Sequence, residues 1–443
     1  MRSSAGQTAF SRPCQLWLLG QTASGIGTWM TRLAIAWYVF RVTHSVALLG
    51  LIGFAGQIPV LLLSPIAAWV VDSCSRKHLF VATQVNAALQ AFVLAYLYHR
   101  HGLTIPILAW LGILRGCNNA IDLPVRPALI CSMAVSRALS LQLLSWDSLV
   151  VNLCRLIGPA TAGYVLAHYG EGACFLIDAL SYAASIGSVL LIPYRLHSRE
   201  IARERGSWKS CLKQKDTAES LIVLCLISLL ALPYTVVLPM HVSTVLRMGP
   251  EILGALTCAS AISAIFCAGT FSVVSQILSI AQRSVTSIAG AAAGLVILAW
   301  TNTLWGAVFA VAVLSYSVML QVCGTNAQLQ EDVANEARGG ASALYSAAFW
   351  GVAPVGALVL GIQGQFLGIR NALSINAIAC FSGIAAVRYW KRAIGRKRDP
   401  LSVNERACLS KSYAGENERS RASDGGARTY DCNLNSSTEE LRA

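Results

Sequence analysis

The feature that most limits this chain is a succession of long apolar runs. A helix needs about 20 mostly apolar residues to cross a bilayer. Such runs lie near 14–40, 45–71, 78–98, 104–131, 138–168 and 173–194. After a polar gap they resume near 219–245, 251–278, 284–301, 304–330, 341–363 and 370–390. Runs this long exclude a β-barrel, whose spanning strands are about 10 residues of alternating character. The first run exceeds the roughly 7–15-residue core of a cleaved signal and is read as a spanning helix. The pattern predicts an all-α membrane protein with twelve transmembrane helices in two six-helix pseudo-repeats, a 6+6 arrangement.

Composition enters through charge. Charged residues make up 12% of the 443 and hydrophobic ones 55%, whereas a soluble domain carries roughly 25% charged residues. Residues 1–392 hold 25 Lys/Arg and 13 Asp/Glu; residues 393–443 hold 9 and 8. The apolar body is therefore expected to end near Arg392, followed by a disordered tail, 393–443. This balance excludes an ordinary soluble enzyme and a secreted disulfide scaffold. The net charge of +13 sits in short loops between apolar runs, where bases orient a membrane protein, so nucleic acid is not an expected partner. The 14 cysteines are scattered without a CxxC pair, and the seven histidines are dispersed. No metal spacing and no phosphate-binding loop occurs, so neither cofactor, metal nor enzymatic activity is expected.

With the N-terminus in the cytoplasm, outward loops carry Arg41, Arg100, Arg247 and Arg370, against 21 bases on the inward side. That bias fits an even helix count with both termini inside. The stretch 195–218, a basic cytoplasmic loop, divides the body into bundles 1–194 and 219–392. Gly163, Gly170, Asp178 and Ala179 recur 198 residues on as Gly361, Gly368, Asn376 and Ala377. Leu49-Gly50 matches Leu253-Gly254 at an offset of 204. These matches suggest a parallel duplication.

A charge in hydrocarbon costs roughly 2.5–3.5 kcal/mol on insertion scales, so the phase of polar residues is informative. In the fourth run Arg115, Asn118, Asn119, Asp122 and Arg126 share one helical face. Gln21, Ser24, Gly25, Thr28 and Arg32 repeat the spacing in the first run; Gln321, Gly324, Thr325, Gln328 and Asp332 repeat it in the tenth. Such stripes either line a shared aqueous cavity or make hydrogen bonds between packed helices. The cavity reading assigns substrate contact to Gln21, Thr28, Arg32, Arg115, Asn118, Asn119, Gln321 and Gln328. Trp29, Trp37, Trp110 and Trp146 offer either stacking surface or interface anchors. Asp147 and Asp178 are the only carboxylates well inside spanning runs; each is either a proton carrier or half of a structural ion pair. Gating groups are expected near the helix ends: Asp122, Arg126, Arg155, Asp332 and Arg338. Asp72, Arg76 and Lys77 join them, an acid followed by two bases across a short turn.

At these residues the sequence resembles the major facilitator superfamily. Asp72, Arg76 and Lys77 match its motif between the second and third helices, with Ala68 where glycine and Ser73 where arginine is usual. The likeness is to its enterobactin-exporter-like branch, also described as transmembrane secretion effectors. It is carried by Leu19-Gly20-Gln21 to Trp29, Asp122-Leu-Pro124-Val-Arg126, Arg155 to Gly163, and Gln330 to Gly339, where Gly340 replaces a second arginine. The resemblance implies a secondary transporter in a bacterial inner membrane. It would export a siderophore, macrolide-like drug or other amphiphilic metabolite, drawing on protons and acting as a monomer. An importer on the same fold, or a non-transporting scaffold acting through its tail, are the alternatives.

Overall fold

The computed structural model describes residues 12–134, 136–192, 215–332 and 344–397, and all its regular elements there are helical. In chain order these are α1 (Arg12–Thr43), α2 (Val46–Ser73), α3 (Arg76–His99), α4 (Ile105–Met133) and α5 (Arg137–Leu191). Then come α6 (Lys215–Leu230), α7 (Tyr234–Met240) with a π-helical turn His241–Val245, α8 (Pro250–Ile277), α9 (Ile280–Trp300) and α10 (Leu304–Asp332). A second π turn, Ala347–Gly351, leads into α11 (Ala353–Leu367), and α12 spans Ile369–Lys397. Met1–Val387 form one compact unit and Arg388–Ala443 a second, of which only the end of α12 is described.

Local chemistry sets several boundaries. Ser45 and Ser136 accept from the amides of Leu48 and Leu139, capping α2 and α5. Ser279 and Gln282 form a reciprocal capping box, so α9 starts at Ile280 rather than at residue 284. The two runs 138–168 and 173–194 emerge as the limbs of α5, joined at Gly170 with φ 77° and ψ 178°. That region of backbone space is essentially restricted to glycine. The run 219–245 is interrupted at residues 231–233 and finishes in the π turn. α6 begins at Lys215, inside the stretch read as the 195–218 loop, and α12 continues past Arg392 to Lys397. The remainder of that loop and the tail from 398 lie outside the described residues.

Among the described residues, nine helices are long and apolar enough to cross a membrane, and one of them is the broken 138–191 segment. α1 and α4, which carry the polar stripes recognised above, are not among the nine. Large apolar side chains lie outside as well as inside: Trp110, Leu123, Leu180, Phe266 and Phe309 are exposed. Exposed apolar surface on this scale is what lipid, not water, tolerates.

The core draws on both ends of the chain. Met30, Tyr38, Phe40 and Leu49 share one buried cluster with Tyr234, Leu256, Leu295, Leu314 and Leu360. A separate cluster of Trp17, Phe80, Val125, Leu129 and Leu143 holds α1, α3, α4 and α5 together. The sequence offsets also reappear in space. Gly368 adopts φ 79° and ψ 155°, repeating the break at Gly170. α2 crosses α11 at Gly50 and Gly361, where a Cβ on Gly50 would sit 2.5 Å from the Ala357 carbonyl oxygen. α5 crosses α8 at Gly163 and Gly254, where a Cβ on Gly254 would sit 2.5 Å from the Pro159 carbonyl oxygen. The four glycines are the ones that pair at the two offsets: Gly50 packs against Gly361, the copy of Gly163, and Gly163 packs against Gly254, the copy of Gly50.

Candidate functional site

A charged centre is built from α1, α4 and the second limb of α5. The 100°-per-residue phase of α4 turns Arg115 toward α1 and α5. Its guanidinium donates to the Tyr182 hydroxyl and, at 3.5 Å, to Thr28 Oγ1. The hydroxyls of Thr28 and Tyr182 lie 2.9 Å apart, and the Arg115 guanidinium carbon is 5.5 Å from the Tyr182 ring centroid. One helical turn before Tyr182, Asp178 is 0% exposed. Neither of its carboxylate oxygens has a hydrogen-bond partner among the described residues. It sits in the field of Arg115 and Arg32, with the hydroxyls of Thr28 and Thr31 beside it. Its nearest neighbour in α1 is Gly27, where a Cβ would lie 2.9 Å from Asp178 Oδ1.

Arg32 is exposed, although it lies within electrostatic reach of Arg115, Asp178, Tyr182 and Arg155. Its guanidinium carbon is 4.9 Å from the Trp29 ring centroid, and that of the half-buried Arg155 is 6.0 Å from the same centroid. The two cations therefore lie within about 11 Å of each other, with one indole against both. Neither forms an ion pair among the described residues, where the salt bridges are Arg41–Glu171 and Arg126–Asp147. The centre thus combines three arginines with one carboxylate that none of them contacts directly.

The rest of the α4 stripe is spoken for by different neighbours. Arg126 grips Asp147 with both Nε and Nη2, at 3.0 and 2.8 Å, and Trp17 donates to the same carboxylate at 3.2 Å. Asp122 accepts from Thr83 at 2.7 Å and from Gln84 at 2.8 Å. Gln84 in turn accepts from Ser185, which accepts from Gln21. Asn118 is buried and accepts from Asn86 at 3.1 Å, while Asn119 is half-buried. Asp147 is therefore half of an ion pair.

Gln321 and Gln328 are buried in a second network. Gln321 accepts from Ser287 at 2.6 Å and donates to the Ser220 carbonyl; Gln328 accepts from the Ser220 hydroxyl at 2.5 Å. Together with Gln21 they bond helix to helix in this conformation, because each amide finds a serine on the facing helix; the only space that Gln321 and Gln328 are seen to border among the described residues is a crevice of about 10 Å³. Asp72 is exposed, Arg76 is half-buried, and Lys77 donates to the Ile192 carbonyl at 3.2 Å. Asp332 closes α10; its side chain and all of Arg338 lie outside the described residues.

Three further residues were not singled out from the sequence. Tyr182 has a signal in hindsight, standing one turn after Asp178. Glu171 is buried and accepts from Arg41 at 2.8 Å and from Tyr98 at 2.8 Å; its position beside a glycine read as a loop. His241 is 1% exposed, with neither ring nitrogen partnered among the described residues. It stands inside an apolar run, where a lone histidine gives no pattern.

Long apolar helices, an internal repeat and a charged centre inside the spanning region define a membrane transporter of the major facilitator type. The chain belongs to the family described as transmembrane secretion effector, whose model matches residues 7–406. It is 27% identical over 238 residues to a staphyloferrin A transporter of Staphylococcus aureus, covering 52% of this chain and 59% of that protein. It is 23% identical over 177 residues to an uncharacterized MFS-type transporter, YfiS, of Bacillus subtilis, covering 40% and 41%. The matched stretches thus span about half the length of these relatives. Among solved structures it resembles the nucleoside transporter NupG, with a TM-score of 0.64, 16% identity and coverage of 86% and 99%. It likewise resembles a bacterial homologue of the iron transporter ferroportin in the inward-facing state, with a TM-score of 0.66, 15% identity and coverage of 87% and 100%. At these identities the structural likeness concerns the fold.

Proposed function

We propose that this protein is a proton-coupled secondary transporter that exports an anionic, amphiphilic small molecule, of the siderophore or related metabolite class, from a bacterial cytoplasm. Its twelve helices form bundles 1–194 and 219–392 that rock about a central cavity, with both termini, the 195–218 loop and the 393–443 tail in the cytoplasm. It acts as a monomer in the inner membrane.

The observation that carries this reading is Asp178. A carboxylate out of water is costly to keep ionised, and here the field of Arg115 and Arg32, with the hydroxyls of Thr28 and Thr31 beside it, offsets that cost. Protonation of Asp178 changes the charge that those guanidinium groups present to an anionic substrate, and this links proton uptake to the state of the substrate site. Arginine suits such a site because its planar fork grips a carboxylate or catecholate through two N–H groups. Trp29, between Arg32 and Arg155, supplies apolar surface for the rest of the molecule. Thr28, Asn118 and Asn119 complete the wall, while Gln21, Gln321 and Gln328 brace the helices around it.

The gates follow from the same geometry. The crossings at Gly50/Gly361 and Gly163/Gly254 close the outward end. Arg126–Asp147, Asp122, Arg155, Asp332, Arg338 and the Asp72, Arg76 and Lys77 turn guard the cytoplasmic end. The printed name of the Staphylococcus aureus relative supports a siderophore as the first substrate to try. The test compares spent medium and cell extracts from wild-type, deletion and Asp178→Asn cells. Export predicts a compound lost from the medium and retained in both mutant cells. A compound that instead falls inside deletion cells makes the protein an importer. Loss of phenotype on deleting 398–443 alone makes it a scaffold.

A further inference from the structure

At the outward end of the repeat, the two halves solve the same problem differently. In the N-terminal half the chain turns at Gly170, and the next residue, Glu171, neutralises Arg41 and accepts from Tyr98. In the C-terminal half the chain turns at Gly368 with nearly the same backbone angles, and the next residue is Ile369. Two arginines are nevertheless present, Arg247 and Arg370, at the rim of a cleft of about 650 Å³ that no carboxylate lines. They are two of only four bases expected on the outward side. Where one half carries an acid, the other carries a basic cleft.

Both arginines are held for use. Arg370 donates to Asn302 at 2.9 Å, and its guanidinium carbon lies 5.8 Å from the Trp300 ring centroid. Arg247 occupies a left-handed position with φ 55°, a conformation that glycine adopts more readily than a residue with a side chain. The rest of the wall joins an apolar side, Met240, Val245, Leu367 and Ile369, to the polar Thr244 and Asn371. Near the same helix ends in sequence, Trp305 is 79% and Phe366 81% exposed, as aromatic groups are where a bilayer meets water.

We propose that this cleft binds the phosphodiester headgroup of an anionic membrane phospholipid, with Arg247 and Arg370 on the phosphate and the apolar wall along the first acyl carbons. Basic pockets between membrane helices are known to bind lipid head groups on the cytoplasmic side, and the same chemistry is available here on the outward side. A bound headgroup ties together the turns after α7, α9 and α11, the task that Glu171 performs internally in the other half. A soluble anion would use the arginines but not the apolar wall.

The test uses full-length protein purified in detergent and stripped of lipid, with native mass spectrometry as readout. Dioleoyl phosphatidylglycerol, dioleoyl phosphatidylcholine and sn-glycerol 3-phosphate are the probes. Wild-type protein is expected to retain phosphatidylglycerol, and R247Q/R370Q to lower its apparent affinity at least tenfold without changing phosphatidylcholine retention. Arg247→Gln leaves the Asn302 contact in place and carries the test if the double variant does not fold. Unchanged phosphatidylglycerol affinity in the variants overturns the proposal. So does an equal loss in R100Q, which would mean general surface charge, or full displacement of the lipid by glycerol phosphate, which would mean a soluble-anion site.

Discussion

Residues 178 and 376 occupy matching places in the internal repeat, yet one is a buried aspartate without a hydrogen bond and the other an asparagine donating to the Leu230 carbonyl at 3.3 Å. The contrast extends along both halves. The N-terminal helices place Arg115 against Tyr182, Arg126 against Asp147 and Arg41 against Glu171. The C-terminal helices use neutral groups for the same packing: Tyr234 with Ser260 and Ser315, and Ser287 with Gln321. A duplicated scaffold therefore does not need charge to pack. Because charge in hydrocarbon is expensive, its retention in one half points to work done there.

The largest effect should come from erasing that difference. Asp178→Asn gives the N-terminal half the residue found at the matching place in the other. Proton-driven flux in reconstituted vesicles is expected to fall at least a hundredfold, with substrate counterflow retained and thermal stability equal or higher. Undiminished proton-driven flux would remove Asp178 from the coupling step. Asn376→Asp, the reverse exchange, should confer no coupling and should lower the melting temperature, since it sets a buried carboxylate against the Leu230 carbonyl to which the asparagine donates.

The ion pair comes next. Asp147→Asn leaves the Arg126 guanidinium part-buried without its counter-charge and weakens the Trp17 contact. Breaking one partner of a buried pair costs about 3–5 kcal/mol, and the partial exposure here brings the expected loss to about 3 kcal/mol. Denaturant or thermal melts in detergent measure it. Double substitution of Arg126 and Asp147 by leucine should recover most of the loss; failure to recover would show that the pair does more than hold α4 to α5.

A smaller effect tests whether the halves are mechanically equivalent. Gly50→Ala and Gly254→Ala each push a methyl group to within 2.5 Å of a carbonyl oxygen on the facing helix. Overpacking of this kind costs about 1–3 kcal/mol. Each variant should shift the population away from the closed outward end, read as longer spin-label distances between α2 and α11 or between α5 and α8. Equal shifts would confirm two matched hinges; a shift from only one would show that the repeat is preserved in shape but not in load.

Much of this architecture was legible because the bilayer simplifies the code. Long apolar runs specify helices, and the recurring glycines at 50, 163, 254 and 361 mark where backbones approach. The stripes of α1, α4 and α10 were legible as faces, since the period of a helix fixes which residues align. Their partners were not, because phase says nothing about the neighbouring helix. Thus Arg115 and Arg126, eleven residues apart on one stripe, serve different aspartates' surroundings, and Asp147 found its base on α4 rather than within α5. Glu171 and His241 were illegible for another reason: a single polar residue beside a glycine or within an apolar run has no period to betray it.

The finest test concerns the amides. Gln21 in α1 and Gln321 in α10 stand on corresponding stripes, and both are tied to serines on facing helices. If such amides brace the bundle, Gln21→Leu and Gln321→Leu should each cost about 0.5–1.5 kcal/mol, the net worth of a neutral hydrogen bond, and leave substrate KM unchanged. Arg32→Gln, on the α1 stripe but exposed and beside Trp29, should do the opposite, raising KM severalfold with little change in melting temperature. A KM effect from Gln321→Leu equal to that of Arg32→Gln would return the α10 stripe to the transport path and dissolve the division between a charged, working half and a neutral, supporting one.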